Sequence, residues 1–322
     1  MSKDDSSSNV AIACQGGGSH TAFTAGVLQR LFDEFPSDRN LVGISGTSGG
    51  AACATLAWYG LNHPNRTPRE LLSGFWEDLG ASSPLDRTVN TLVRWNVTLR
   101  RMGVPLPETS PAHSPVARWG QDELRRLLER YVDFEELPDL LDGTEPALLV
   151  SAIDVLTGEF ELFRGNDLSV DEVLASAAEP HLFEAVPVDG HYYWDGLFSK
   201  NPPMKDFLTQ SDIPDPDELW LVEINPQRRS EVPTTREEID GRRNELSGNL
   251  SLNAEVGFLE AVNGWIEEGY LPDDFTHTDI KRIRFPRRRR LSWRTKLDRD
   301  PEFLDELMDD GERAARAFLE EL

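Results

Sequence analysis

The pattern of apolar and polar positions opens with a short apolar run at residues 10–15, which ends in three glycines and gives way to helically spaced apolar positions over 21–35. Consecutive apolar positions over so short a length read as a strand, the glycines as a turn and the longer period as a helix. The same order returns at 41–45, where a second short run stops at Gly46 and leads into the Ala-rich stretch 49–59, composed of residues that favour helix. Further helical patterns fall at 68–79 and 115–131, the second entered through a Pro- and Ser-rich loop at 103–114. Strands are expected at 147–153, 159–163 and 219–224, with a helix at 170–178. Such alternation predicts a layered α/β sheet.

After Asn225 the chain turns strongly polar, with a helix expected at 252–268, a β-leaning segment at 280–285 and an amphipathic helix at 301–322. This divides the chain into a core over 8–210 and an extension over 211–322 packed on it. No internal repeat is visible, and no stretch approaches the roughly 18 uninterrupted apolar residues of a membrane span. Residues 1–9 are polar and acidic and read as no targeting segment. The two cysteines, Cys14 and Cys53, each sit in an apolar segment and read as small buried hydrophobes, which makes a reducing, cytoplasmic location the expectation.

Charge changes the picture. Fifty-seven Asp and Glu stand against 33 Lys and Arg, a formal net charge of −24 in 322 residues. Such a surface repels itself and other anions at low salt, a penalty that largely vanishes when salt shortens the screening length. Adaptation to a salty cytoplasm is one reading, and an ordinary acidic protein rich in Arg rather than Lys is the other. Nucleic-acid binding is not expected of so acidic a chain.

The candidate chemistry lies in the turns. Gly46-Thr47-Ser48-Gly49-Gly50 is the chain's single GxSxG, placed where a strand turns into a helix. A Ser there is lifted toward solvent as a nucleophile, with the helix N-terminus facing developing negative charge. The plainer reading is a glycine-rich turn capped by Ser. Gly16-Gly17-Gly18, some 30 residues earlier, lets backbone N–H groups approach a substrate oxygen, as an oxyanion hole requires. A tight turn and a phosphate loop are the alternatives, the latter disfavoured because no Gly-Lys-Ser/Thr follows. For a base, Asp195 closes an aromatic run, Tyr192-Tyr193-Trp194, that would raise its proton affinity. Asp195-Gly196 is otherwise a simple turn, and a Ser, Asp195, His277 triad of the α/β-hydrolase kind is the competing arrangement.

Taken together these pieces resemble the patatin-like phospholipase family, whose members combine a glycine-rich oxyanion loop, a GxSxG elbow and a downstream Asp-Gly-Gly/Ala motif. The likeness runs over about the first 210 residues. It includes Gly26-Val27-Leu28 after the triple glycine, the run Ala175-Ser176-Ala177-Ala178-Glu179-Pro180 leading to Asp195, and Asn201-Pro202. Asp154 with Thr157-Gly158 matches a strand and turn read as structural. His20 and Thr21 stand where many members carry a cation and Gly, and Leu197 takes the third place of the Asp-Gly motif.

The resemblance implies a three-layer patatin-like fold with a mostly parallel central sheet and helices on both faces. It also implies acyl-ester hydrolysis by a Ser48–Asp195 dyad through an acyl-serine intermediate, an oxyanion hole at Gly16, Gly17, Gly18 and Gly49, and neither metal nor organic cofactor. The ester that the resemblance implies is a lipid. The alternatives are a stored polyhydroxyalkanoate, as for the intracellular depolymerases of similar type, and a non-catalytic binding module on the same fold. Peripheral contact with a lipid or granule surface is one reading of Arg287, Arg288, Arg289 and Arg290, with Trp293 and Arg294 nearby; pairing with the chain's own carboxylates is the other.

Overall fold

A computed structural model of the chain describes residues 7–82, 86–88, 90–91, 110–141, 143–165, 168–272, 275–286 and 293–322. The loop at 103–109 and the arginines at 287–290 lie outside them, as do the side chains of Trp293 and Arg294.

Among the described residues eight strands form one sheet: β1 (Ser8–Cys14), β2 (Arg39–Gly46), β3 (Ala147–Asp154), β4 (Phe160–Arg164), β5 (Val186–Val188), β6 (His191–Asp195), β7 (Glu218–Glu223) and β8 (Asp279–Arg284). Their order is β5-β6-β3-β2-β1-β7-β8, with β4 paired to β3. The stretch from β3 to β8 is parallel throughout, and β4, β5 and β6 join it antiparallel. The helices are α1 (Ala22–Asp33), α2 (Gly49–Asn62), α3 (Pro68–Leu79), α4 (Pro115–Tyr131), α5 (Val170–Ser176), α6 (Asp206–Thr209), α7 (Arg236–Glu267) and α8 (Pro301–Glu320).

β1 shows why the early run is apolar on consecutive positions. Val10, Ile12 and Cys14 join a core layer with Phe23, Leu28 and Leu56 from α1 and α2, while Ala11 and Ala13 face a second layer with Phe207, Leu252 and Leu259 from α6 and α7. A strand covered on both faces needs no polar alternation. The sheet is thus the middle of three layers.

The ends of the helices follow local chemistry. Thr67 caps α3 and Ser114 caps α4, each with Pro in the first turn; Pro is tolerated there because those N–H groups lack an intrahelical partner. The helix expected at 252–268 begins at Arg236, because Thr235 and Glu238 form a capping box that launches it from the polar segment.

Residues beyond 210 do more than cover the core. β7 lies against β1 on the side opposite β2, so the sheet is continuous across that point. α8 crosses α1 at the contact of two glycines. A Cβ built on Gly26 would fall 1.9 Å from the Met308 carbonyl oxygen, and one on Gly311 would fall 2.1 Å from that of Phe23. The Gly26-Val27-Leu28 feature is therefore a helix-packing feature. Cys14 and Cys53 are buried free thiols, and burial raises the pKa of both.

Candidate active site

Register brings the two glycine turns together. Cys14 of β1 pairs with Gly46 of β2, so both parallel strands end level and release their turns at one edge of the sheet. There Ser48 adopts φ 57° and ψ −129°, a left-handed conformation costly for a side-chain-bearing residue. The surroundings enforce it. Thr47 Oγ1 donates to the Lys200 carbonyl at 2.7 Å, Ser45 Oγ to that of Pro203 at 2.5 Å, and Ser48 N–H to Ser176 Oγ at 2.9 Å. The turn also has no room for a side chain at Gly50, where a Cβ would meet the Cys14 carbonyl oxygen at 2.3 Å.

The loop 16–18 crosses in front of the elbow. Gly16 N–H donates to Asn201 Oδ1 at 2.7 Å, which removes it from the set of amides available to a ligand. The amides of Gly17, Gly18 and Gly49 have no acceptor among the described residues. Of the four glycines singled out in the sequence, three thus have amides with no protein acceptor among the described residues, and Gly16 anchors the loop to Asn201.

Asp195 arrives from the far side of β3. β6 runs antiparallel to β3 with Asp195 opposite Ala152; its carboxylate accepts the Leu197 N–H at 2.8 Å and lies near enough to the Ser48 hydroxyl to feel its pull. It is 3% exposed. Burial pushes its pKa up to about 7, although the Leu197 N–H and the nearby Ser48 hydroxyl pull the other way. The aromatic run contributes mainly by burying the strand: Tyr193 is inside while Tyr192 is exposed.

Ser48, Asp195 and the loop amides open into a cavity of about 410 Å³. One wall is apolar, built from Phe75, Trp76, Leu124, Leu128, Leu182 and Phe183. No imidazole intervenes between Ser48 and Asp195. His277 is exposed and bonds Glu267 at the end of α7 at 3.2 Å, so the triad arrangement has no histidine in place. His191 bonds Asp154, whose other oxygen takes the Leu156 and Thr157 amides in a structural turn.

Three contributors escaped the sequence reading. Ser176 was part of a matched run but had no role, Asn201 likewise, and Lys296 carried no motif at all. Lys296 lines the cavity and is 8% exposed; burial brings its pKa down to about 8, against the pull of Glu245, Asp195 and Glu179.

The chain matches the model of the family described as patatin-like phospholipase over residues 12–208. A comparison with curated proteins gives no match. Among solved structures it is similar to VipD from Legionella pneumophila, with 13% identity, coverage of 94% of this chain and 67% of that one, and a TM-score of 0.39. It is also similar to ExoU from Pseudomonas aeruginosa, at 14% identity, 97% and 53% coverage and a TM-score of 0.34. For the heterodimeric ExoU-SpcU complex the values are 13%, 98% and 51%, and 0.33. The chain therefore spans about half the length of the ExoU chains. Among the described residues no helix is long and apolar enough to cross a membrane. With the family match running through more than half of its length, across the glycine loop, the elbow and Asp195, the chain belongs to the patatin-like phospholipase family.

Proposed function

We propose that the protein is a serine acyl-ester hydrolase in which Ser48 and Asp195 act as a dyad. The observation that carries this reading is that Ser48, at the strained elbow, and the buried carboxylate of Asp195 line one cavity with the glycine loop and a set of apolar side chains. Ser48 Oγ attacks the acyl carbonyl as its proton passes to Asp195. The resulting oxyanion lies against the Gly17, Gly18 and Gly49 amides, a form of stabilisation in which one donor is typically worth about 10²–10³ in rate. Collapse expels the alcohol, which takes the proton from Asp195. Asp195 then deprotonates a water that attacks the acyl-Ser48 ester, releasing the acid and returning a proton to Ser48.

The apolar wall suits an acyl chain and supports a lipid ester as substrate. The charge of −24 favours a second substrate reading, a neutral polyhydroxyalkanoate, since an anionic bilayer repels such a surface unless salt screens it. Turnover of p-nitrophenyl esters of graded length by the wild type, Ser48→Ala and Asp195→Asn tests the dyad. Both variants should lose about 10³-fold or more; equal turnover in all three would defeat the dyad, and a wild type no faster than the uncatalysed reaction would leave a binding module instead. Release of fatty acid from phospholipid vesicles, set against release of 3-hydroxybutyrate from polyester granules, separates the two substrates.

A further inference from the structure

The cavity has a polar wall built from the far end of the chain. Residues Trp293–Leu297 form a 3-10 turn that packs on the 3-10 turn Gly18–Thr21, which begins at the last residue of the triple glycine. The approach is close. A Cβ on Gly18 would lie 2.5 Å from the Lys296 carbonyl oxygen, and His20 Nε2 is 2.8 Å from Thr295 Oγ1. His20 is thus turned onto the segment that carries Lys296; burial, and then the nearby ammonium, hold its pKa well below the ordinary imidazole range.

Lys296 Nζ donates to Asn225 Oδ1 and Asn244 Oδ1, each at 2.8 Å. Asn225 donates its Nδ2 to the Gly16 carbonyl at 3.4 Å and its backbone N–H to Gln15 Oε1 at 2.9 Å. One amide side chain therefore fixes the ammonium to the backbone of the glycine loop. Arg299 lines the same cavity and donates to the Leu79 carbonyl at 3.4 Å. The other charged or titratable groups in the lining are Glu123, Glu179, His181 and Asp195. Glu123 accepts from Arg126 at 2.5 Å, and Glu179 is joined to His181 Nδ1 at 2.9 Å.

We propose that Lys296, held by Asn225 and Asn244 and accompanied by Arg299, is an anion subsite that binds a phosphate or carboxylate group carried by the acyl ester near its scissile bond. The inference rests on reading the cavity as the acyl-ester site, and it narrows the substrate to amphiphiles with a charged group. A phospholipid brings a phosphate there; an oligomer of a hydroxy acid brings a terminal carboxylate. A charge-assisted hydrogen bond is roughly twice as strong as a neutral one and so discriminates between charged and neutral groups.

Calorimetric titration of the full chain with octyl phosphate, octanoate and neutral octyl glucoside, each below its micelle concentration, tests the subsite. Wild type and Ser48→Ala should bind at least one of the anions about tenfold or more tighter than the glucoside. Which anion binds better separates the phosphate from the carboxylate source. Lys296→Met should abolish the preference and Lys296→Arg should keep most of it. Asn244→Asp retains the lysine but sets a carboxylate against it, and should also weaken anion binding, which covers the case where Lys296→Met does not fold. Equal affinity of the wild type for charged and neutral amphiphiles overturns the proposal, as does a preference that survives in either folded variant. An anion preference without ester turnover would instead sink the hydrolase reading and leave Lys296 as an anion site in a binding cavity.

Discussion

The backbone N–H of Ser48 donates to the hydroxyl oxygen of Ser176, so the strained residue at the elbow is held by helix α5 as well as by its own strand. Ser176 is fully buried. Ser176→Ala leaves the Ser48 amide without its acceptor, which should lower stability by about 1–3 kcal/mol and relax the elbow, reducing kcat more than it raises KM. Thermal melting beside ester kinetics checks this, and an unchanged kcat would show that the strand alone holds the turn.

Asn201 plays the same part for the glycine loop. Its Oδ1 is the acceptor for Gly16 N–H and its Nδ2 donates to the Gly248 carbonyl at 3.0 Å, tying the loop to α7. Asn201→Ala should cost about 1–3 kcal/mol in stability by orphaning a buried amide. Asn201→Asp restores the acceptor and should recover part of the ester turnover lost in the alanine variant. If the two variants are equally impaired, the Gly16 contact is not what matters.

The elevated pKa of Asp195 sets the pH dependence. A base must be ionised to accept the Ser48 proton, so kcat/KM should rise through a limb near pH 7 and fall away on the acid side. Stability moves oppositely. Because the folded-state value lies above the unfolded carboxylate value of about 3.9, this group favours the fold most at low pH, and that contribution disappears as pH climbs from about 4 through about 7. Asp195→Asn should therefore melt higher than wild type at pH 8, with the gap closing toward pH 4. A variant that is less stable at pH 8 would show that the carboxylate's hydrogen bonds outweigh its burial.

The α1–α8 crossing should tolerate no added methyl group. Gly26→Ala places its Cβ against a helix backbone that has no flexible end to yield, with an expected loss of about 1–3 kcal/mol or more. Gly311→Ala should do the same from the other helix, and the double variant should lose less than the sum, since either methyl alone already parts the helices. Additive losses in urea melts would count against a shared contact.

Much of this site was legible because it is local. The triple glycine and GxSxG each sit within five residues of a strand end, and their meeting follows from adjacent parallel strands of matched register. The layered sheet and the helices at 68–79 and 115–131 were equally visible, through apolar period and Ser, Thr and Pro caps. What stayed hidden acts over distance. Lys296 reaches the cavity from a 3-10 turn some 250 residues downstream, held by amides of Asn225 and Asn244 that no short pattern marks. Gly16 read as a donor to substrate because nothing in its neighbourhood announces Asn201. The start of α7 was missed for a different reason: its first turns are polar, and the Thr235–Glu238 capping box was the available signal.

Net charge gives the last prediction. With a formal charge of −24, self-repulsion should destabilise the fold at low ionic strength, and the melting temperature should climb as salt rises from about 0.1 M toward about 3 M. A flat melting temperature across that series removes the high-salt reading and leaves an ordinary acidic surface.

The place of β7 bears on how the protein comes to exist. Its partner β1 leaves the ribosome about 200 residues ahead of it, so the edge that β7 covers must wait for residues 218–223 to be synthesised. Throughout that interval the nascent chain carries an apolar strand with one open side, a template for pairing with the wrong neighbour. A fragment ending at residue 208, where the family match stops, would keep that open side permanently, and is expected to clump rather than yield a miniature catalyst.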